Sequence, residues 1–446
     1  MHEDALFWHR LQFAFTIVFH YLFPALTMGL ALLIVVMKGV YLRTNDDGWN
    51  DAARFWIRIF GINFVVGVVT GIPMEFQFGT NWGAFSRYAG NVIGHTLAME
   101  GLFAFFLESS FLALLVMGEK RVGRIGHFAC ALALFLGSWL SGYFIIATNA
   151  FMQHPVGHEV GADGMLHLMD FSAFLLNPWA LAQYAHNMMA SVAVAAFVVA
   201  AAGAWFALRR EHLPAAARFL KVGVGAGLAA SVFVAFPTGD QHARLVARYQ
   251  PASLAAMEGR FESGPMAGIS MIGQPNVGKR RLDNPIQVPG LLSLLAYGTF
   301  HSDVPGLSEF PEHDWPDNIE LLYYAFHVMA GLGTFMILLM SLAAVSLLRG
   351  RLLRNRWLLC ALLLAAPFPY IATIAGWVTA ELGRQPWLVY GLFRTTQGTS
   401  PLVHSGTALF TLIGFCGLYF VLGLLFLLLV GRELLHGPAP AKVHHG

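Results

Sequence analysis

The chain has 446 residues, 57% of them hydrophobic and 12% charged, with a formal net charge of +2 and a mean hydropathy of +0.60. Soluble domains carry about 25% charged residues, so this composition excludes a water-soluble globule. The apolar runs are about 20 residues long, which suits membrane helices rather than the ~10-residue alternating strands of an outer-membrane barrel. No basic cluster or zinc-binding spacing points to nucleic acid.

Windows able to cross about 30 Å of hydrocarbon predict an all-α, polytopic fold. Nine transmembrane helices are expected, at roughly 14–37, 55–78, 95–117, 127–149, 183–206, 217–237, 321–347, 357–380 and 405–431. The opening MHEDALFWHR has no basic stretch with a cleavage site, so the first span is expected to remain a helix. Lys38, Arg43, Arg54 and Arg58 lie between spans 1 and 2, and Lys120, Arg121 and Arg124 between 3 and 4. Arg209, Arg210, Arg218 and Lys221 lie between spans 5 and 6, and Arg349, Arg351, Arg354 and Arg356 between 7 and 8. The alternate connections are poor in Lys and Arg, so the positive-inside rule puts the N-terminus outside and the C-terminus in the cytoplasm. Three regions follow: 1–237 with helices 1–6, an outer loop at 238–320, and 321–446 with helices 7–9 and a short cytoplasmic tail. The tail, GPAPAKVHHG, is expected to be disordered. Cys130, Cys360 and Cys416 are isolated in apolar spans and form no disulfide framework.

Ionisable groups are expensive in a bilayer, which makes each one a candidate for function. In this topology His20, Glu100, His186, Met329 and Glu381 all fall toward the outer ends of their spans, with Glu108 deeper. Helix-helix hydrogen bonding is the bland alternative. His20 is either a satisfied core histidine or a proximal haem ligand with an open position opposite. Glu100 and Glu108 are eight residues apart, about 12 Å and 80° along an ideal helix. They cannot bond directly, and bridging waters or hydroxyls would make them a proton relay rather than a structural pair. His186 and Met329 could bind one haem iron from opposite sides and give a low-spin electron-transfer centre. His327 is a rival, because residues two apart do not share a helix face. In GWVTAELGRQPW, Glu381 and Arg384 can pair locally, Arg384 can clamp a carboxylate, and Trp377 and Trp387 suit an interfacial belt.

Six strings together carry a family resemblance: RLQFAFTIVFHYLFPALTMG, FGINFVVGVVTGIPMEFQFGTNW, AMEGLFAFFLESSF, QYAHNMMAS, YYAFHVMAG and GWVTAELGRQPW. Over nearly its whole length the chain resembles subunit I of the cytochrome bd-type quinol oxidases. The resemblance implies a quinol:O2 oxidoreductase of a bacterial cytoplasmic (inner) membrane that oxidises ubiquinol or menaquinol outside and reduces O2 to water with cytoplasmic protons. It implies three haems: a low-spin haem b on His186 and Met329, a high-spin haem b, and a haem d or further haem b. His20, Glu100 and Glu381 would serve the high-spin pair, with Trp377 and Arg384 beside it. Glu108, Ser109 and Ser141 would form the proton route. The 238–320 segment resembles the short form of the quinol-binding loop, with Glu258 and Asp240 as contacts. Partners would be a second large subunit, with or without a small single-helix one.

There are departures. Ser253 stands where the loop of this family usually has Lys, and His327 where many members have Arg, a propionate or redox-tuning partner. His95 is also an unusual residue ahead of Glu100. With the short loop, these lean toward the cyanide-insensitive branch. The runner-up reading is a non-enzymatic haem electron carrier or a proton-coupled transporter built on the same carboxylates.

Overall fold

The computed structural model describes residues 2–438, so most of the tail, 439–446, lies outside the described residues. Among the described residues, nine helical segments are long and apolar enough to cross a membrane, and each coincides with an expected span. Helix α1 (His2–Thr44) turns sharply into α2 (Asp47–Thr80), where Asp46 caps the second helix by accepting from Gly48 N at 3.0 Å. The third span is composite: α3 (Gly83–Leu102), a π-helical stretch (Phe103–Glu108) and α4 (Ser109–Met117). Helix α5 (Glu119–Gln153) follows, interrupted at Gly123, whose φ is +69°. A small hairpin, β1 (His158–Val160) with β2 (Leu166–Leu168), and α6 (Phe171–Leu175) lead to α7 (Pro178–Arg209). Asn177 caps α7, and Pro178 fills its first position, where no N–H is needed.

Helix α8 (Leu213–Ala235) breaks at Phe236–Pro237 and resumes as α9 (Thr238–Tyr249). The region read as a loop therefore begins with a helix. It continues through α10 (Pro251–Met257), an antiparallel hairpin of β3 (Ile269–Asn276) and β4 (Arg281–Val288), and α11 (Leu291–Tyr297). Helix α12 (Ile319–Leu348) returns to the bundle. The eighth span is split into α13 (Arg356–Leu364) and α14 (Phe368–Arg384). Pro367 and Pro369 lie at the break, and a proline removes a helix hydrogen bond and clashes with the preceding turn. A short hairpin, β5 (Trp387–Val389) with β6 (Phe393–Arg394), precedes α15 (Ser405–His436), so the helix continues past the expected end at 431.

Helix α7 is the axis of the bundle. Its most apolar window is 83% buried, against 6% for α15 and 12% for the third span. The reason is its run of alanines between 193 and 207, which lets neighbours approach closely. At Gly29 of α1 a Cβ would stand 2.6 Å from that of Ala195. The end that carries the 250–318 insertion gathers the candidate site. The opposite end is tied by Lys38, only 2% exposed, whose Nζ reaches Asn50 at 2.5 Å, His127 at 2.6 Å and Glu119 at 3.3 Å.

Candidate functional site

The first group lies where α1, α7, α12 and α14 meet. The Tyr21 hydroxyl donates to Asn187 Oδ1, and the Tyr21 ring meets Trp377 edge-on at 5.5 Å. Gly376, beside Trp377, faces Met329: a Cβ there would lie 2.9 Å from its sulfur. His186 precedes Asn187 on α7 and packs beside Gly239 of α9, where a Cβ would stand 3.5 Å from its ring. The Nδ1 of His186 is buried without a partner among the described residues. Its ring lies 6.0 Å from that of His242, on α9. Both ring nitrogens of His327 face carbonyl oxygens, Tyr323 O at 2.8 Å and Ser270 O at 2.5 Å. His327 is thus engaged with its own helix and with the insertion, whereas Met329 meets α14 at Gly376.

The second group adjoins it. His20 sits within 3.1 Å of Thr70 Oγ1 and packs against Gly71, where a Cβ would come 3.0 Å from the imidazole. Glu381 accepts from Asn149 at 2.7 Å, and Asn149 accepts from Gln183 at 2.8 Å. Its other carboxylate oxygen pairs with Arg384, the i,i+3 contact expected at the end of α14. Arg384 is 2% exposed and also donates to the carbonyls of Trp387 and Leu388. Haem needs donors to iron and polar partners for its propionates. His186 Nδ1 and Arg384 Nε are buried polar atoms without partners among the described residues, so an iron ligand and a propionate donor are on hand for such a group between these helices.

The third span behaves differently from the ideal helix assumed above. The π-helical stretch between Glu100 and Glu108 widens the turn, so the 80° separation does not hold; such insertions are frequent at functional sites. Glu108 is 4% exposed and hydrogen-bonds Ser138 of α5, which the sequence reading did not single out. Ser141 donates to the Glu100 carbonyl at 3.5 Å, and Ser109 lies on the exposed side. Glu75 of α2 is close enough to act on Glu100 electrostatically. It obeys the same intramembrane-carboxylate rule and was equally readable from MEFQFGTNW.

The insertion supplies the last group. Glu258, at the end of α10, is 2% exposed, and Oε2 accepts from Ser270 N at 3.0 Å. Burial pushes its carboxyl up to about 7, against the opposing hydrogen bond from Ser270. Ser253 is buried and donates to Gly383 O at 2.5 Å, so it ties α10 to α14 in place of a charged side chain. Asp240 is paired with Arg244 on α9 at 2.9 Å, next to Gly239, where a Cβ would stand 3.5 Å from the His186 ring.

A multi-pass helical membrane protein that draws imidazole, thioether and carboxylate groups from separate helices to one end of its bundle belongs to the class of membrane proteins that move electrons or protons. A family model described as cytochrome bd terminal oxidase subunit I matches residues 8–438. The cytochrome bd ubiquinol oxidase subunit 1 of Bacillus subtilis (strain 168) is 36% identical, over 98% of this chain and 94% of that one. The cytochrome bd-II ubiquinol oxidase subunit 1 of Escherichia coli (strain K12) is 32% identical, over 93% of each. The solved bd oxidase from Geobacillus thermodenitrificans superposes with a TM-score of 0.90 at 31% identity, covering 98% of this chain and 99% of the matched one. The chain belongs to the cytochrome bd terminal oxidase subunit I family and is a subunit of a respiratory terminal quinol oxidase. Haem and quinol come with that family, and a non-enzymatic carrier or transporter is not favoured.

Proposed function

We propose that this chain oxidises quinol beside Glu258 at the outer face of a bacterial inner membrane and delivers the electrons to O2 at a buried site fed with cytoplasmic protons. The orientation rests on the Lys and Arg distribution, which puts the insertion end outside. When bound, three haems supply electron transfer and oxygen reduction. His186 and Met329 hold the low-spin haem b. His20, Glu100 and Glu381 would serve a high-spin haem b and either a haem d or a further haem b, and Arg384 and Trp377 would help hold them. Glu108, with Ser138 and Ser141, carries protons inward, and Ser109 belongs to the approach. The observation that carries this reading is the pair of contacts at Tyr21, which ties α7 at Asn187 to α14 at Trp377, next to the Gly376 that Met329 packs against.

A second large subunit covers the third span. Glu75 is exposed and Glu100 only half-buried in this chain alone, and carboxylates facing lipid are costly. Asp240 and Glu258 bound the quinol site, and the substrate is ubiquinol or menaquinol. Glu258 accepts a proton from the quinol hydroxyl, so it must be ionised to act. With its carboxyl at about 7, kcat/KM for quinol rises roughly tenfold per pH unit below that point and levels above it. Glu258→Gln removes this dependence and lowers kcat/KM by about 100-fold or more. Steady-state quinol oxidation by the purified complex from pH 5.5 to 8.5 tests both. A wild-type profile flat across pH 7, or normal turnover in the variant, would exclude Glu258 as the base.

A further inference from the structure

Tyr323, in the first turns of α12, is 1% exposed, yet its hydroxyl has no hydrogen-bond partner among the described residues. Buried polar groups are nearly always satisfied, so a fully enclosed phenol without a partner asks for a ligand or another explanation. Its surroundings point to the quinol site. The ring lies under Gly259, the residue after Glu258: a Cβ there would stand 3.2 Å from Tyr323 Cδ2 and 2.9 Å from Leu282. Gly259 has φ +61°, so a residue free of both restrictions is needed for the chain to turn over the phenol. The carboxylate of Glu258 is close enough to interact with Tyr323 electrostatically.

His327, one turn further along α12, braces the pair. Its ring stacks on that of Tyr323, with centroids 3.9 Å apart and planes 28° from parallel. Its Nδ1 lies 2.8 Å from Tyr323 O and its Nε2 2.5 Å from Ser270 O. The N–H of that same Ser270 holds Glu258 Oε2 at 3.0 Å, and Gln287 Nε2 secures the Ser270 hydroxyl at 3.0 Å. One histidine thus fixes the phenol through its ring and the carboxylate through the backbone of one residue, Ser270. The other Glu258 oxygen makes no hydrogen bond among the described residues, which leaves it for substrate.

We propose that Tyr323 is a further quinol-contacting residue, whose hydroxyl donates a hydrogen bond to the same quinol oxygen that Glu258 deprotonates, with His327 positioning both groups. This rests on the reading of Glu258 given above. As the quinol O–H bond breaks, the proton goes to the carboxylate and negative charge grows on the oxygen. A phenol aimed at that oxygen stabilises the charge without transferring a proton of its own. One electron leaves with each deprotonation toward the haem that His186 and Met329 would hold, the oxidase's own acceptor, and Glu258 releases its proton to the outer face before the second O–H is oxidised in the same way.

The test compares Tyr323→Phe, Glu258→Gln and wild type as complete, haem-loaded complexes oxidising a short-tailed quinol. Readouts are KM, kcat, the low-spin haem spectrum and the thermal midpoint. Tyr323→Phe should lower kcat/KM about tenfold, chiefly through kcat, the effect of one hydrogen bond lost from the developing charge, with an unchanged spectrum and no fall in midpoint, because no intramolecular bond is removed. A kcat/KM within twofold of wild type, while Glu258→Gln lowers it about 100-fold or more, overturns the Tyr323 contact and leaves Glu258 in place. Normal quinol kinetics in Glu258→Gln overturns the reading on which the contact depends. Loss of the haem spectrum with a lowered midpoint in Tyr323→Phe would show the hydroxyl to be structural and also overturn the contact.

Discussion

Met329→Leu should abolish the low-spin haem signal while leaving the chain inserted and the complex assembled. Leu keeps the size and hydrophobicity of Met but has no sulfur to offer iron. The packing at the site tolerates the change, because Met329 meets α14 at Gly376, where no side chain competes for space. Removing a group that only supports a metal ligand already costs ~10–100-fold in affinity or activity, so loss of the ligand itself should lower quinol oxidation by at least that much. His327 is the internal control. Both of its nitrogens are engaged by carbonyls of the protein, so His327→Leu should keep a low-spin haem. A reduced-minus-oxidised spectrum that is unchanged in Met329→Leu and lost in His327→Leu would reverse the assignment.

The two carboxylates of the third span should separate in the same way. Glu108→Gln is expected to retain all haem and lose about 100-fold in oxygen reduction, within the range that a positioned proton-transfer group contributes. Gln keeps the shape and hydrogen-bonding capacity needed at Ser138 but cannot accept and release a proton. Glu100→Gln is expected to alter the high-spin spectrum itself, because Glu100 lies nearer the insertion end than Glu108 and within electrostatic reach of Glu75 on α2, the helix that packs against His20. Haem content and turnover measured on the same preparations decide the matter. Wild-type turnover of Glu108→Gln from neutral to alkaline pH would remove it from the proton route.

The nine spans were legible because hydropathy over about 20 residues is a local property. The break between α13 and α14 was also legible in APFPY, though a window long enough to find spans averages over it. What joins the helices was not. The Tyr21–Asn187 hydrogen bond spans 166 positions, and neither residue carries a charge that would mark it. The π-helical stretch was invisible for a related reason: FAFFLE reads as ordinary apolar helix, and nothing in its residue types marks the wider turn. That register brings Glu108 to Ser138, a residue that the nearby Ser109 and Ser141 had masked in the sequence. Ser253 and His327 could be recognised as unusual from the sequence. Their roles as ties to Gly383 and Ser270 needed the insertion folded against α12 and α14.

The central claim is that this chain houses the haems of a quinol oxidase. The most direct measurement is the pyridine haemochrome content and reduced-minus-oxidised spectrum of the purified complex, normalised to this chain. The account predicts three haems per chain, one with a low-spin b-type signal that quinol reduces and O2 reoxidises. A pure, assembled complex without haem, or with haem that quinol does not reduce, would contradict it.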